Sequence, residues 1–144
     1  MTGRENIALN GSILGLPRRE IADVTEEIID FSGLGDFIND PVKHYSSGMY
    51  VRLGFSVAVH MKPDVLLVDE VLAVGDKAFR EKCYTRMESL LSEGRTLFLV
   101  SHSERDLKRF GTRGLYLRQG QLVLDGPMDE VLDRYNEDQG TQQR

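Results

Sequence analysis

The sequence contains no Gly-Lys dipeptide, and therefore no G-x-x-x-x-G-K-[ST] loop of the kind that wraps backbone N–H groups around a phosphate. Its single cysteine, Cys83, excludes an intrachain disulfide and a Cys-based metal site, and fits a reducing compartment. No apolar run reaches the roughly 18–20 residues needed to cross a bilayer. The opening residues, MTGRENIALN, carry no apolar signal-peptide stretch. Any work at a membrane is therefore expected from the cytoplasmic side, through a partner. Positive charge is in deficit: 18 Lys and Arg stand against 23 Asp and Glu, for a net charge of -5. That balance argues against nucleic acid as the main partner. No internal repeat or low-complexity tract is visible, and 144 residues hold one domain or part of one.

What is present divides into two textures near residue 61. Before it, the periodicity is helical and no strand stands out. Ile7, Leu9, Ile13 and Leu14 predict a first helix, stopped by Gly15 and Pro17. Ile21, Val24, Ile28 and Phe31 give a second helix an apolar stripe at spacings of three and four, ended by Gly33 and Gly35. Asp40-Pro41 breaks the chain again. A third helix is predicted over 47–61, stopping before Pro63.

After residue 61 short apolar runs alternate with helical stripes. Val65–Val68 and Thr96–Val100 read as strands buried on both faces, with a helix through Phe79, Cys83, Met87 and Leu90 between them. A short helix near Glu104–Arg109 follows. Leu115–Leu117 and Gln121–Leu124 read as two strands joined by Gln119-Gly120. Gly126-Pro127 is expected to lead into a last helix over Asp129–Tyr135, with a polar, frayed tail from Asn136. Strands alternating with helices predict an α/β fold with a parallel sheet, preceded by a helical part. Two regions are expected, 1–61 and 62–144.

Two features point to phosphate chemistry. Ser46-Ser47-Gly48 opens the third helix, where unpaired N–H groups and the positive end of the dipole suit a phosphate. Some 20 residues on, the run Val65–Val68 ends in Asp69 and Glu70. Ligand sites of open α/β sheets form at the carboxyl ends of strands. There Asp69 suits Mg²⁺ and Glu70 suits a general base that polarises water. Each feature has a bland alternative: Ser is an ordinary N-cap, and an Asp-Glu pair is a common solvated turn. His102, after the strand Thr96–Val100, is placed to sense a γ-phosphate, or is a surface residue. Asp76 reads as the N-cap of the helix beginning near Lys77. His44 and His60 read as structural, and Arg52 and Lys62 as solvated helix charges.

The ordered set resembles the ATP-binding-cassette (ABC) transporter ATPases, from just after their glutamine loop to the end of the nucleotide-binding domain. Tyr45-Ser46-Ser47-Gly48-Met49 is similar to the signature motif usually written Leu-Ser-Gly-Gly-Gln, with Ser47 in place of its first Gly and Met49 in place of its Gln. Val65–Asp69 resembles the Walker B strand, Glu70 the catalytic glutamate, Val74–Asp76 the D-loop and His102 the switch histidine. Gly120–Val131 resembles the close of such domains. YSSGMYVRLGFSVAVH followed by LLVDEVLAVGD resembles the branch that exports polysaccharides such as O-antigen and teichoic-acid chains.

The resemblance implies the C-terminal part of a P-loop (RecA-like) ABC ATPase domain, with 1–61 as helical signature subdomain and 62–144 as the remainder of the core. It implies ATP and Mg²⁺ as cofactors, and a second nucleotide-binding domain closing head to tail. Ser46, Ser47 and Gly48 would face the partner's ATP. Asp69 (metal), Glu70 and His102 (catalytic) would act on the chain's own, and Asp76 would be a further nucleotide-binding residue. An integral membrane permease would be the second partner, at the cytoplasmic face of the membrane. The first glutamine is Gln119, so glutamine loop and P-loop are both missing and the chain is expected to begin inside the domain. The alternative is a non-catalytic module that docks on a partner ATPase or membrane subunit.

Overall fold

In the computed structural model, which describes residues 1–70 and 75–142, the first helix is α1 (Gly3–Ile13). Thr2 opens it with a capping box: its hydroxyl accepts from the Glu5 amide while the Glu5 carboxylate accepts from the Thr2 amide. The second, α2 (Arg18–Ser32), ends at Gly33, whose φ of 67° places it in the left-handed region that closes helices. The third, α3 (Ser47–His60), is capped by Ser46, whose hydroxyl accepts from the Met49 amide at 3.2 Å. Short 3-10 turns at Gly35–Phe37 and Val42–His44 connect α2 to α3.

The apolar stripes meet in one cluster. Ile7 from α1, Ile28 and Ile29 from α2, and Leu53 and Val57 from α3 are buried together with Leu34, Ile38 and Met61. The approach of α1 to α2 is close: a Cβ at Gly11 would sit 2.6 Å from the Ile21 side chain. Phe31 leaves the stripe and stacks edge-on to His60 and Phe79 instead.

Beyond Pro63 the chain becomes α/β. Strand β1 (Val65–Asp69) pairs with β2 (Thr96–Val100) in a parallel sheet, and α4 (Lys77–Ser92) is the crossover between them. Burial on both faces of β1, expected from the sequence, does not hold. Leu66 and Val68 are buried, but Val65 is 53% and Leu67 73% exposed. Period-two alternation sends neighbours to opposite faces. Met87 and Leu90 of α4 line the Leu66 side, and the other face stays open.

The chain divides into two units, Met1–Phe98 and Leu99–Arg144. The second holds α5 (Glu104–Phe110) and the antiparallel hairpin β3 (Arg113–Arg118) and β4 (Gln121–Pro127). Gln119 and Gly120, both at positive φ, make its turn. Gly126 and Pro127 pair with Gly114 and Arg113 and so extend β4, rather than forming a separate entry to the last helix. That helix, α6 (Met128–Gln142), runs beyond Tyr135 into the segment expected to fray. Asp138 explains this: its carboxylate meets Arg118 and Arg134 and accepts from the Tyr116 hydroxyl. Among the described residues no helix is long and apolar enough to cross a membrane.

His60 is structural, as the sequence suggested. Its Nδ1 lies 2.7 Å from the Ser56 carbonyl oxygen and its ring sits 4.8 Å from that of Phe31. Burial holds its pKa below the ordinary 6.5; the Ser56 carbonyl opposes this, Arg86 adds to it and Glu27 opposes it. As pH falls, the unfolded chain therefore takes up this proton before the folded one. The stability contribution is complete above about 6.5 and declines below it. Thermal melts at stepped pH are expected to show a falling midpoint below that value, and a His60→Gln variant to lose that part of the slope.

Candidate functional site

Ser46, Ser47 and Gly48 lie at the N-terminal end of α3. Ser46 and Ser47 are exposed and Gly48 is half-buried, with only the Ser46 hydroxyl near the position of an added Cβ, at 3.9 Å. The turn is held from behind. Tyr45 keeps its backbone extended, its amide donates to the Val42 carbonyl, and Tyr50 donates to the Ser46 carbonyl. The first-turn amides at this helix end, other than that of Met49, thus face a small, open surface.

Asp69 is the last residue of β1, on its exposed face, and Glu70 follows it. Glu70 has φ of 51°, a left-handed conformation uncommon for a side chain with a Cβ. Of the D-loop-like segment, Val74 lies outside the described residues, as do 71–73. Asp76 is described and is the N-cap of α4. His102 lies in the second unit, exposed, between β2 and Ser103, the N-cap of α5.

A residue that sequence reasoning passed over joins two of these elements. Arg52, read as a solvated charge, is half-buried. Its Nη2 donates to Asp76 Oδ2 at 2.8 Å, and its guanidinium lies 4.8 Å from the Phe79 ring centre. Asp76 Oδ1 at the same time accepts from the Phe79 amide at 2.8 Å. One carboxylate thereby caps α4 and ties it to α3. Lys62, by contrast, is not a helix residue: it sits past α3 at φ 47°, and its carbonyl accepts from the Arg95 guanidinium. The Asp76 partner is 24 residues from Arg52, too far for any local spacing rule to signal.

Among the described residues no group of three or more His, Cys, Asp and Glu could hold a metal by itself. Asp69, exposed at a strand end, could offer one carboxylate to a Mg²⁺ held otherwise by waters and substrate phosphates.

The fold is that of an ABC-type ATP-binding subunit. A solved structure of an ATP-binding subunit of an ABC transporter matches 94% of the chain with a TM-score of 0.84 at 19% identity, and the chain covers 57% of it. Sequence goes further. The ABC transporter protein AbcA of Aeromonas salmonicida is 50% identical over 94% of the chain, which covers 44% of that protein. The teichoic acids export ATP-binding protein TagH of Bacillus anthracis is 44% identical over 95% of the chain and 25% of its own length. The O-antigen export system ATP-binding protein RfbB of Klebsiella pneumoniae is 42% identical over 95% of the chain and 56% of its own length. No family model matches. Over about 95% of its length the chain is thus similar to part of these ABC transporter ATP-binding proteins. It spans between about a quarter and just over half of the length of these curated relatives.

The double role of Asp76 carries a prediction. Its carboxyl is held below the ordinary carboxylate range, first by the Phe79 amide and then by Arg52. A lowered folded pKa contributes stability that is present above the unfolded value and lost as pH falls through the folded one. At neutral pH Asp76→Ala is expected to lower the melting temperature more than Arg52→Ala, because it also leaves the Phe79 amide without its acceptor. Asp76→Ser, which caps without charge, should recover most of the loss. The gap between wild type and Asp76→Ala should narrow as pH drops through about 3.8.

Proposed function

We propose that the chain is the signature-bearing part of an ATP-hydrolysing subunit that powers export of a cell-surface polysaccharide or polyol phosphate. The observation that carries this reading is the order of elements. A Ser-Ser-Gly helix start, a strand ending in Asp69 and Glu70, an acidic cap at Asp76 and a strand followed by His102 occur in one chain. That chain is 42–44% identical to export ATP-binding proteins and 50% identical to an ABC transporter protein.

In this reading two such subunits close head to tail. The Ser46 hydroxyl and the free amides at the start of α3 meet the γ-phosphate of ATP bound by the partner, where the helix dipole favours negative charge. Asp69, Glu70, Asp76 and His102 face ATP held on their own side. Mg²⁺, when bound, neutralises charge on the phosphates. Glu70 takes a proton from the attacking water, and His102 donates a hydrogen bond to the γ-phosphate. Residues 1–61 form the helical signature subdomain and 62–144 part of the ATPase core. Closure is passed to an integral membrane permease at the cytoplasmic face of the membrane.

The sequence supplies no phosphate-cradling loop or its lysine, and those groups provide most nucleotide affinity in this class of site. The purified 144-residue chain is therefore expected to hydrolyse ATP no faster than a Glu70→Gln control. Turnover at an ordinary ABC rate that Glu70→Gln abolishes would overturn this.

A second reading, a non-catalytic module that docks on a partner ATPase or membrane subunit, is favoured by the same missing loop. The two separate in the ATPase assembled with a P-loop-bearing half. In the catalytic reading Glu70→Gln lowers hydrolysis about 10²–10⁴-fold, the range of a general base, while ATP binding persists. Unchanged hydrolysis assigns the chain to the docking role.

A further inference from the structure

The residue just before the phosphate-facing turn is fastened by an unusual pair of contacts. The Tyr45 hydroxyl donates to the Phe37 carbonyl at 2.7 Å. The same oxygen lies against Gly3, where an added Cβ would sit only 2.4 Å from it. The surrounding backbone is bonded as well. Val42 donates to the Met1 carbonyl, Arg4 donates to the Ile38 carbonyl, and Thr2 bridges Pro41. The ring packs against the buried helical core. The N-terminal segment Met1–Arg4 and the segment 37–45 are thus knitted together, and Tyr45 is the last stitch before Ser46.

We propose that Tyr45 is a positioning residue for the signature turn: its phenol locks Ser46–Gly48 to the N-terminal segment, so that a displacement of that segment re-aims the turn. This rests on reading Ser46–Gly48 as the phosphate-facing turn. A bare helix N-cap fixes only the first helical turn. Here the entry to the cap is fixed too, by a hydroxyl that has a carbonyl on one side and a glycine that leaves room for it on the other.

The test uses two substitutions that break the same contact from opposite sides. Tyr45→Phe removes the oxygen and keeps the ring. Gly3→Ala drives a methyl group into the oxygen and against the Ile38 side chain and carbonyl. In the full chain, amide exchange at Val42, on the N-terminal segment's side, and at Met49, inside the turn, is expected to rise several-fold in both variants. Tyr45→Phe added to Gly3→Ala removes the clashing oxygen, so the double variant should exchange more slowly than Gly3→Ala alone. In the assembled ATPase Tyr45→Phe should raise the half-saturating ATP concentration roughly fivefold, the scale of one hydrogen bond, with kcat changed less than twofold. A role confined to stability would lower kcat with the folded fraction and leave half-saturation unmoved. Unchanged Met49 exchange in Tyr45→Phe overturns the lock. An assembled wild type without ATPase activity instead overturns the functional reading, and the exchange data still decide the lock.

Discussion

Ile7 and Ile28 are wholly excluded from water, and Leu53 nearly so, and everything upstream of the sheet hangs on their contact. Each such side chain contributes about 1.5–3 kcal/mol by leaving water. One residue comes from each of the three helices, so the cluster fixes their mutual rotation. With α3 fixed in this way, the direction of its N-terminal end is no longer free. Ser46 then faces outward because Leu53 and Val57 face inward on the same helix. A surface feature with no burial of its own is aimed by the core.

Polar contacts refine what the core sets. Asp76 serves as cap to α4 and as ion-pair partner to Arg52 on α3, so the start of one helix is indexed to the side of another. An exposed pair of this kind contributes little to stability. Its effect is geometric, because the carboxylate also accepts a backbone amide and the guanidinium also lies on Phe79. The three contacts share two side chains and cannot shift separately.

Much of this was legible in the sequence, for identifiable reasons. Gly33, Pro63 and Asp76 bound helices through local backbone chemistry, and each does so where spacing placed it. The helix start at Ser46 and the strand end at Asp69 were readable for the same reason. The long-range terms were not. Arg52 looked solvated because its partner lies in another helix. The tail beyond Asn136 looked frayed because composition does not show that Asp138 gathers Arg118, Arg134 and Tyr116. The strand Val65–Val68 looked buried on both faces because an apolar run does not say how many layers cover it. The roles of Ser46, Ser47, Gly48, Asp69, Glu70, Asp76 and His102 came from their order along the chain, and they remain a proposal about chemistry.

The open face of β1 and the chemistry proposed for its end are connected. Alternation puts Val65, Leu67 and Asp69 on one face of the strand, with Leu66 and Val68 on the other beneath α4. Residues two apart on a strand are about 6.6 Å from one another. Any layer that covers Leu67 must therefore end within reach of the Asp69 carboxylate. An apolar surface of this kind leads a chain either to associate or to be covered. A covering layer that also carried a phosphate cradle would satisfy the sheet and bring the phosphate to the acid in a single step. In the proposed reading, completing the fold and completing the active site are therefore the same event.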